Sequence, residues 1–350
     1  MKKYKTLRIK GVISFLIDQK ALLVTIALFI ATLAAFIIST GMGDMKISPL
    51  EVIKTLFGKG TDMHSLVVNQ FRLPRIIVAL FAGMSLAVAG AILQGIIRNP
   101  LASPDIIGIT GGASVAVVGF LALFSDSNNS LTISIHWLPL AAFIGATTIA
   151  LLVYFLSWKN GVSPIRLVLI GIGIAALTQA FTTTLMIMGP IFQASQANIW
   201  ITGTVYGSNW SNVKILVPWA SVLLIISFVL AQKLNIQELG EELAKGAGSR
   251  VQKDRFTLLL ISTALTGGAV AFAGGIGFVG LMAPHIARNL VGSAFGALLP
   301  TSALIGGLLV IVADLIGRTI ATPLEIPAGV FTAAIGAPYF IYLLFKNRNL

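Results

Sequence analysis

The sequence predicts an all-α fold, a polytopic membrane helix bundle of about ten transmembrane helices, and two observations carry that prediction. Of the 350 residues, 56% are hydrophobic and only 10% charged, with a mean hydropathy of +0.94, whereas a soluble domain carries about a quarter charged residues. The apolar residues are also gathered into runs of about 20 residues, the length a helix needs to cross a hydrocarbon layer roughly 30 Å thick.

The runs follow in order. Residues 1–20 form a basic N-terminal segment, and the run 21–40 after it is too long for the core of a cleaved signal peptide and lacks a small-residue cleavage site, so it reads as a first, retained span. Further spans are expected at 76–97, 106–124, 137–157, 167–188, 213–231, 256–274, 277–291, 298–317 and 327–345. The stretch 277–291 is short and contains Pro284 and His285, which predicts a segment either broken or tucked into protein. Within Asn99–Asp105 the pattern suggests a break and restart, with Ser103 as cap and Pro104 in the first turn of a new helix. The polar segment 191–212, with Phe192, Trp200, Tyr206 and Trp210, suits a short helix at the outer interface. Residues 21–350 then make one transmembrane domain, interrupted by a polar loop at 234–255. Paired small residues such as Gly83 and Gly90, or Gly306 and Gly307, let helix backbones approach where lipid supplies no drive for association.

A net charge of +12 in a soluble protein would suggest nucleic acid, but here the Lys and Arg residues sit between apolar runs, with no basic stripe and no interleaved aromatics, so no nucleic-acid partner is expected. With the N-terminus in the cytoplasm, about 17 basic residues fall inside against 7 outside, which supports that orientation, an even number of spans and two cytoplasmic termini. The chain has no cysteine and only three widely separated histidines, His64, His136 and His285, so no metal site and no cofactor are expected. There is no GxxxxGK[ST] phosphate loop, no HExxH and no GxSxG, which leaves no signature for ATP hydrolysis or for another enzymatic activity in this chain. Asp314 is the main ionisable residue within a span, and Arg318, one turn later, can pair with it. Energy for transport is therefore expected from another subunit.

The stretch Leu239, Gly240, Glu241, Glu242, Leu243, Ala244, Lys245, Gly246, Ala247, Gly248 reads as a short cytoplasmic helix with an apolar pair, Leu239 and Leu243, stopped by Gly246 and Gly248. Such a helix can insert into a cleft of a cytoplasmic partner and pass its motion to the flanking spans, though a solvated turn between helices is the plainer reading. Arg72 and Arg75, in Phe71-Arg-Leu-Pro-Arg75, fall outside on this topology, against the usual bias. Either they meet acidic groups of an extracytoplasmic partner or their long side chains snorkel to the headgroups.

Together these pieces resemble the FecCD family, the permease subunits of ATP-binding-cassette importers for iron–siderophore complexes and cobalamin. The resemblance rests on Arg72-Leu-Pro-Arg75, Gly90 to Gln94, Asn99-Pro-Leu-Ala-Ser-Pro104 with Gly108 and Gly112-Ala113, Leu239 to Gly248, Gly275 to Arg288 around Pro284-His285, Ala313-Asp314 with Arg318, and Glu325-Ile-Pro-Ala-Gly329 with Gly336-Ala-Pro338. It covers nearly the whole chain in order. It implies a ten-helix subunit in the cell membrane that pairs with a second permease copy or sister chain around a central path. A cytoplasmic ATPase would engage Leu239–Gly248, and an extracytoplasmic binding protein would meet Arg72, Arg75 and Arg318. The span with Thr178, Gln179, Thr182 and Thr183 would line the path, with Gln94 beside it. A ferric siderophore is the expected cargo, with haem or cobalamin as alternatives inside the family and an ion-coupled secondary carrier as the alternative outside it.

Overall fold

The computed structural model describes residues 4–9, 13–125, 131–159, 161–189 and 191–346. Among the described residues an antiparallel pair of strands, β1 (Tyr4–Ile9) and β2 (Ile13–Asp18), comes first, and the elements after it are helices apart from two isolated bridges, Ser125 with Leu131 and Trp158 with Val162. The helices are α1 (Gln19–Gly41), α2 (Pro49–Leu56), α3 (Asp62–Ser65), α4 (Leu73–Ile97), α5 (Ile109–Leu123), α6 (Leu138–Leu156), α7 (Pro164–Met188), α8 (Ile191–Thr202), α9 (Trp210–Val229), α10 (Ala231–Glu238), α11 (Glu241–Gly246), α12 (Val251–Ala273), α13 (Val279–Val291), α14 (Phe295–Thr319) and α15 (Ala328–Lys346). A π-helical turn, Leu66–Arg72, leads into α4.

Each of the ten apolar runs holds a helix, and among the described residues seven helical stretches are long and apolar enough to cross a membrane. The three helices outside that group differ from it in length or in apolar window. They are α5 with 15 residues, α13 with 13, and α15, whose described apolar part ends at Tyr342. The continuity of α13 through Pro284 settles the earlier alternative in favour of a tucked segment, because Val279–Pro284 and Ala287 are all buried.

The packing is centred on α4. Nearly every residue from Ala82 to Ile97 is buried, and α4 is flanked by α14, α12, α13 and α9. Small residues make this possible: a Cβ on Gly90 would strike the Gly280 carbonyl of α13, and one on Gly83 would strike the Gly306 carbonyl of α14. Backbone-to-backbone contact of this kind is how helices gain dispersion energy in lipid. In contrast α1 lies on the flank against α14, with Leu23, Phe29, Ile30 and Leu33 at least half exposed. These are the side chains that lipid would cover.

One boundary differs from expectation. Residues after Pro104 form a turn rather than a helix, with Gly108 N–H donating to the Asp105 carbonyl, and α5 begins only at Ile109. Gly108 has φ 81 and its Cα side lies against Ala175 of α7, so the chain must turn there before the helix can start. Ser103 does not cap a helix; Asp105 instead accepts the Thr110 hydroxyl at 2.5 Å.

Candidate functional site

Helix α4 has 25 residues and so spans about 37 Å at 1.5 Å per residue, which sets apart two polar ends of the bundle. The first surrounds its N-terminus. Asp314, buried in α14, receives Arg75 Nε and Nη2 in a fork, with the Nη2 contact at 2.8 Å. The same guanidinium reaches Glu325, on the loop before α15, at 2.9 Å through Nη1 and sits 5.7 Å from the ring of Tyr206. Arg318, one turn after Asp314, approaches it at 3.6 Å but spends its hydrogen bonds elsewhere. Its Nη1 donates to the Met42 carbonyl at 2.6 Å and its Nη2 to the carbonyl and hydroxyl of Ser39. Arg72 Nη1 donates to the carbonyls of Thr40 and Gly41, and its Nη2 to that of Met45 at 2.6 Å.

The physical cause lies in α1. Its last turn ends with carbonyls that have no following helical N–H, and it contains no basic residue of its own. Two arginines from elsewhere in the chain supply the missing donors and place positive charge at the negative end of the helix dipole. Of the three arginines singled out in the sequence, Arg72 and Arg318 are therefore buried, at 9% and 8% exposure, and engaged with backbone. Arg75 is the one whose partner, Glu325, stands toward solvent.

The second end lies near Arg98, which closes α4 in a left-handed conformation and has its guanidinium close beside Gly240. Leu239 ends α10, Gly240 turns the chain with φ 107, and α11 runs only from Glu241 to Gly246. The predicted helix over Leu239–Gly248 is thus shorter than expected, with Leu239 and Gly240 in the turn that separates it from α10. The stop holds as expected: Gly248, at φ 82, donates its N–H to the Lys245 carbonyl, and Ser249 to that of Ala244. Ala244 faces inward and is fully buried, while Leu239 and Leu243 are 61% and 65% exposed. Glu241 pairs with Lys245 at 3.0 Å and approaches the buried Arg255 of α12 at 3.6 Å. The Lys245 hydrogen bond, with Arg255 adding to it, holds the Glu241 carboxyl below the usual carboxylate range. Glu242 is exposed. Two more pairs tie this end down: Lys233 with Asp254 at 2.6 Å and Arg288 with Glu238 at 2.8 Å.

Between the two ends, α7 buries only a stripe. Thr178 and Thr182 face inward, each hydroxyl donating to a carbonyl of its own helix, and Thr178 fills the space beside Gly111 of α5. Gln179 and Thr183, four residues apart, share an uncovered face. Gln94 is enclosed between α4 and α13 at 2% exposure, its amide directed at the Leu281 carbonyl. Of the five wall residues expected from sequence, two are open and three are inside the subunit. Sequence reasoning missed Glu325 and Arg255 as members of these clusters. The signal for the first was Arg75, a guanidinium with more donors than the single carboxylate of Asp314 takes up, so that Nη1 is left for Glu325.

Comparison with known proteins places this geometry among transporters. The model of the FecCD transport family matches residues 31–346. The "Probable siderophore transport system permease protein YfhA" of Bacillus subtilis (strain 168) is 63% identical over 332 residues, covering 95% of this chain and 97% of that protein. The achromobactin transport system permease protein CbrC of Dickeya dadantii (strain 3937) is 47% identical, covering 93% and 92%. The iron(3+)-hydroxamate import system permease protein FhuG of Bacillus subtilis (strain 168) is 44% identical, covering 94% and 98%. Among solved structures, an inward-facing metal-chelate type ABC transporter superposes with a TM-score of 0.80 at 30% identity, covering 92% of this chain and 99% of the other.

Proposed function

The chain belongs to the FecCD transport family, and from that premise we propose that it is the permease subunit of an ATP-binding-cassette importer that carries a ferric siderophore across the cell membrane. The relatives named for siderophore, achromobactin and iron(3+)-hydroxamate transport support the cargo. The observation that carries the mechanism is α11: a short helix, anchored by Ala244 and Glu241, that holds Leu243 out in water next to the equally exposed Leu239. An apolar pair displayed on a charged loop is a surface made for a partner's cleft.

In this reading both termini and α11 are cytoplasmic, a separate ATPase grips Leu239–Gly248, and its closure rocks two permease subunits to give alternating access. The second permease is another copy or a sister chain. The uncovered face of α7, with Gln179 and Thr183, lies along the path, and Thr178, Thr182 and Gln94 set the packing behind it. The binding protein docks at the opposite end, where Arg75 offers a guanidinium to its carboxylates while Arg72 and Arg318 hold the end of α1 in place. The pairing of Asp314 with two arginines weighs against an ion-coupled carrier, which keeps a titratable group free to load and release its ion.

The test is purification of the tagged chain from native membranes in mild detergent, together with uptake by reconstituted vesicles. Recovery of an ATPase with a phosphate loop is the expected result, and Glu241→Arg with Glu242→Arg should leave the chain in the membrane while separating ATP hydrolysis from iron uptake. Repeated isolation without an ATPase, or full uptake by the double variant, would overturn the assignment.

A further inference from the structure

The end of the bundle that carries α11 contains a buried arginine for which the functional reading has no use. Arg255 lies in the second turn of α12 and is 4% exposed. Its guanidinium faces two ways. Nη2 points at Glu241 of α11 at 3.6 Å, and Nη1 donates to the carbonyl of Val162, in the connection between α6 and α7. Gln252, on the same face of α12, accepts the Val162 N–H through Oε1 at 3.0 Å. Both backbone groups of Val162 are therefore held by α12, and Val162 itself is 2% exposed.

The connection is tied equally firmly to the helix that follows. Arg166, in the first turn of α7, donates to the carbonyls of Lys159 and Gly161 at 3.1 and 3.2 Å. Pro164 starts α7 two residues after Val162. Polar contacts thus run from α11 through Glu241 and Arg255 to Val162, and the adjoining Gly161 carbonyl carries the line to Arg166 of α7, the helix with the uncovered Gln179 and Thr183.

We infer that Arg255 is a positioning residue that locks α11 to the start of α7, so that a pull on the exposed leucines moves the two as one body. Separating them would take the Glu241 carboxylate away from a guanidinium that is 4% exposed, and a buried charge whose partner is removed is strongly unfavourable. The lock is uneven in composition. Toward α7 it uses two hydrogen bonds to the backbone of Val162, from Arg255 and to Gln252, and toward α11 it uses a single ion pair between two side chains. The inference rests on the reading of α11 as the ATPase contact.

Because the chain contains no cysteine, spin labels report cleanly. One label replaces Ala247, at the end of α11, or Ile165, which is 71% exposed at the start of α7; a reference label replaces Leu23 on α1, which is 68% exposed. The complex purified with its ATPase is measured by pulsed electron resonance with and without trapped ATP. The expected result is that ATP shifts both distances to Leu23 together while the Ala247 to Ile165 distance stays constant. In Arg255→Met the shift at Ala247 remains and the shift at Ile165 is lost, with Arg255→Lys, which can hold one partner but not both, in between. Gln252→Ala, a milder change in the same contact, should weaken the shift at Ile165 while leaving the one at Ala247. A wild-type Ala247 to Ile165 distance that changes with ATP, or an Arg255→Met complex in which both shifts persist, would overturn the inference while leaving the importer reading intact. Absence of any ATP-driven shift at Ala247 in the wild type would overturn the importer reading and this inference with it.

Discussion

Around the N-terminus of α4, Arg72, Arg75 and Arg318 face five backbone carbonyls and two carboxylates, and the two arginines that cap α1 are less than a tenth exposed. Around the C-terminus of the same helix, the two largest apolar side chains of the loop after α10 stand in water, and α11 is fixed by one buried alanine and one glutamate. Both ends are rich in charge, but at the second the ion pairs hold the helices around the loop and leave its two leucines uncovered. A brace needs every donor matched inside the chain, because an unmatched buried charge costs several kcal/mol. A contact surface needs the reverse: side chains left unmatched until a partner arrives. Perturbing the first end should therefore register as stability, and perturbing the second as lost coupling at unchanged stability.

The largest stability effect is expected for Asp314→Asn. It leaves Arg75 and Arg318 facing each other without their shared carboxylate, and side chains this buried make the loss about 3–5 kcal/mol. Thermal unfolding in detergent should show a clear fall in the midpoint; an unchanged midpoint would mean the cluster is not a brace. Arg318→Met comes next. It removes the donors to Ser39 and Met42 and leaves the end of α1 partly uncapped, at about 2 kcal/mol for charged hydrogen bonds lost from a site Arg72 still serves in part. Arg318→Lys should recover a fraction, since one ammonium cannot span both acceptors. Glu325→Gln should cost no more than about 1 kcal/mol because that carboxylate is a third exposed and Arg75 keeps Asp314. If Arg75 is the docking arginine, the same substitution frees it, and the binding protein's affinity should rise rather than fall.

The division between the ends also marks what a sequence discloses. Ten apolar runs were legible because span length is a local property, and each holds a helix within a few residues. The start of α5 was misplaced because Ser103-Pro104-Asp105 has the chemistry of a helix cap, while the deciding fact, the fit of Gly108 against Ala175 of α7, belongs to packing. Leu239 and Leu243 could be picked out since their exposure follows from the polar residues around them. The brace could not, except in part: Arg75 and Asp314 are 239 residues apart, and the carbonyls that engage Arg72 and Arg318 have no signature in side chains at all. The same blindness hid Arg255, whose main acceptor is the backbone of Val162.

At the second end, Leu243→Ser should leave the unfolding midpoint in place, because the side chain is 65% exposed and contributes little buried area. Its effect should appear only as loss of the ATPase from the purified complex. A midpoint that falls as far as that of Arg318→Met would show that the leucine packs within the chain and would erase the contrast.

The smallest effect concerns the one charge that anchors α11. The hydrogen bond from Lys245, helped by Arg255, lowers the Glu241 pKa below its ordinary value of 4.5. A carboxylate with a depressed folded-state pKa contributes its full stabilisation above the unfolded value and loses it as the pH falls through the folded one. The amides of Ala244 to Gly248 should therefore keep constant protection against hydrogen exchange, once corrected for the intrinsic rate, from neutral pH down to about 4.5, and lose part of it only below. In Glu241→Gln the protection should be lower throughout and independent of pH in that window, because the charge that titrates is gone. Loss of protection already at pH 6 in the wild type would point to another group, and would mean that Glu241 is not what fastens α11 to the bundle.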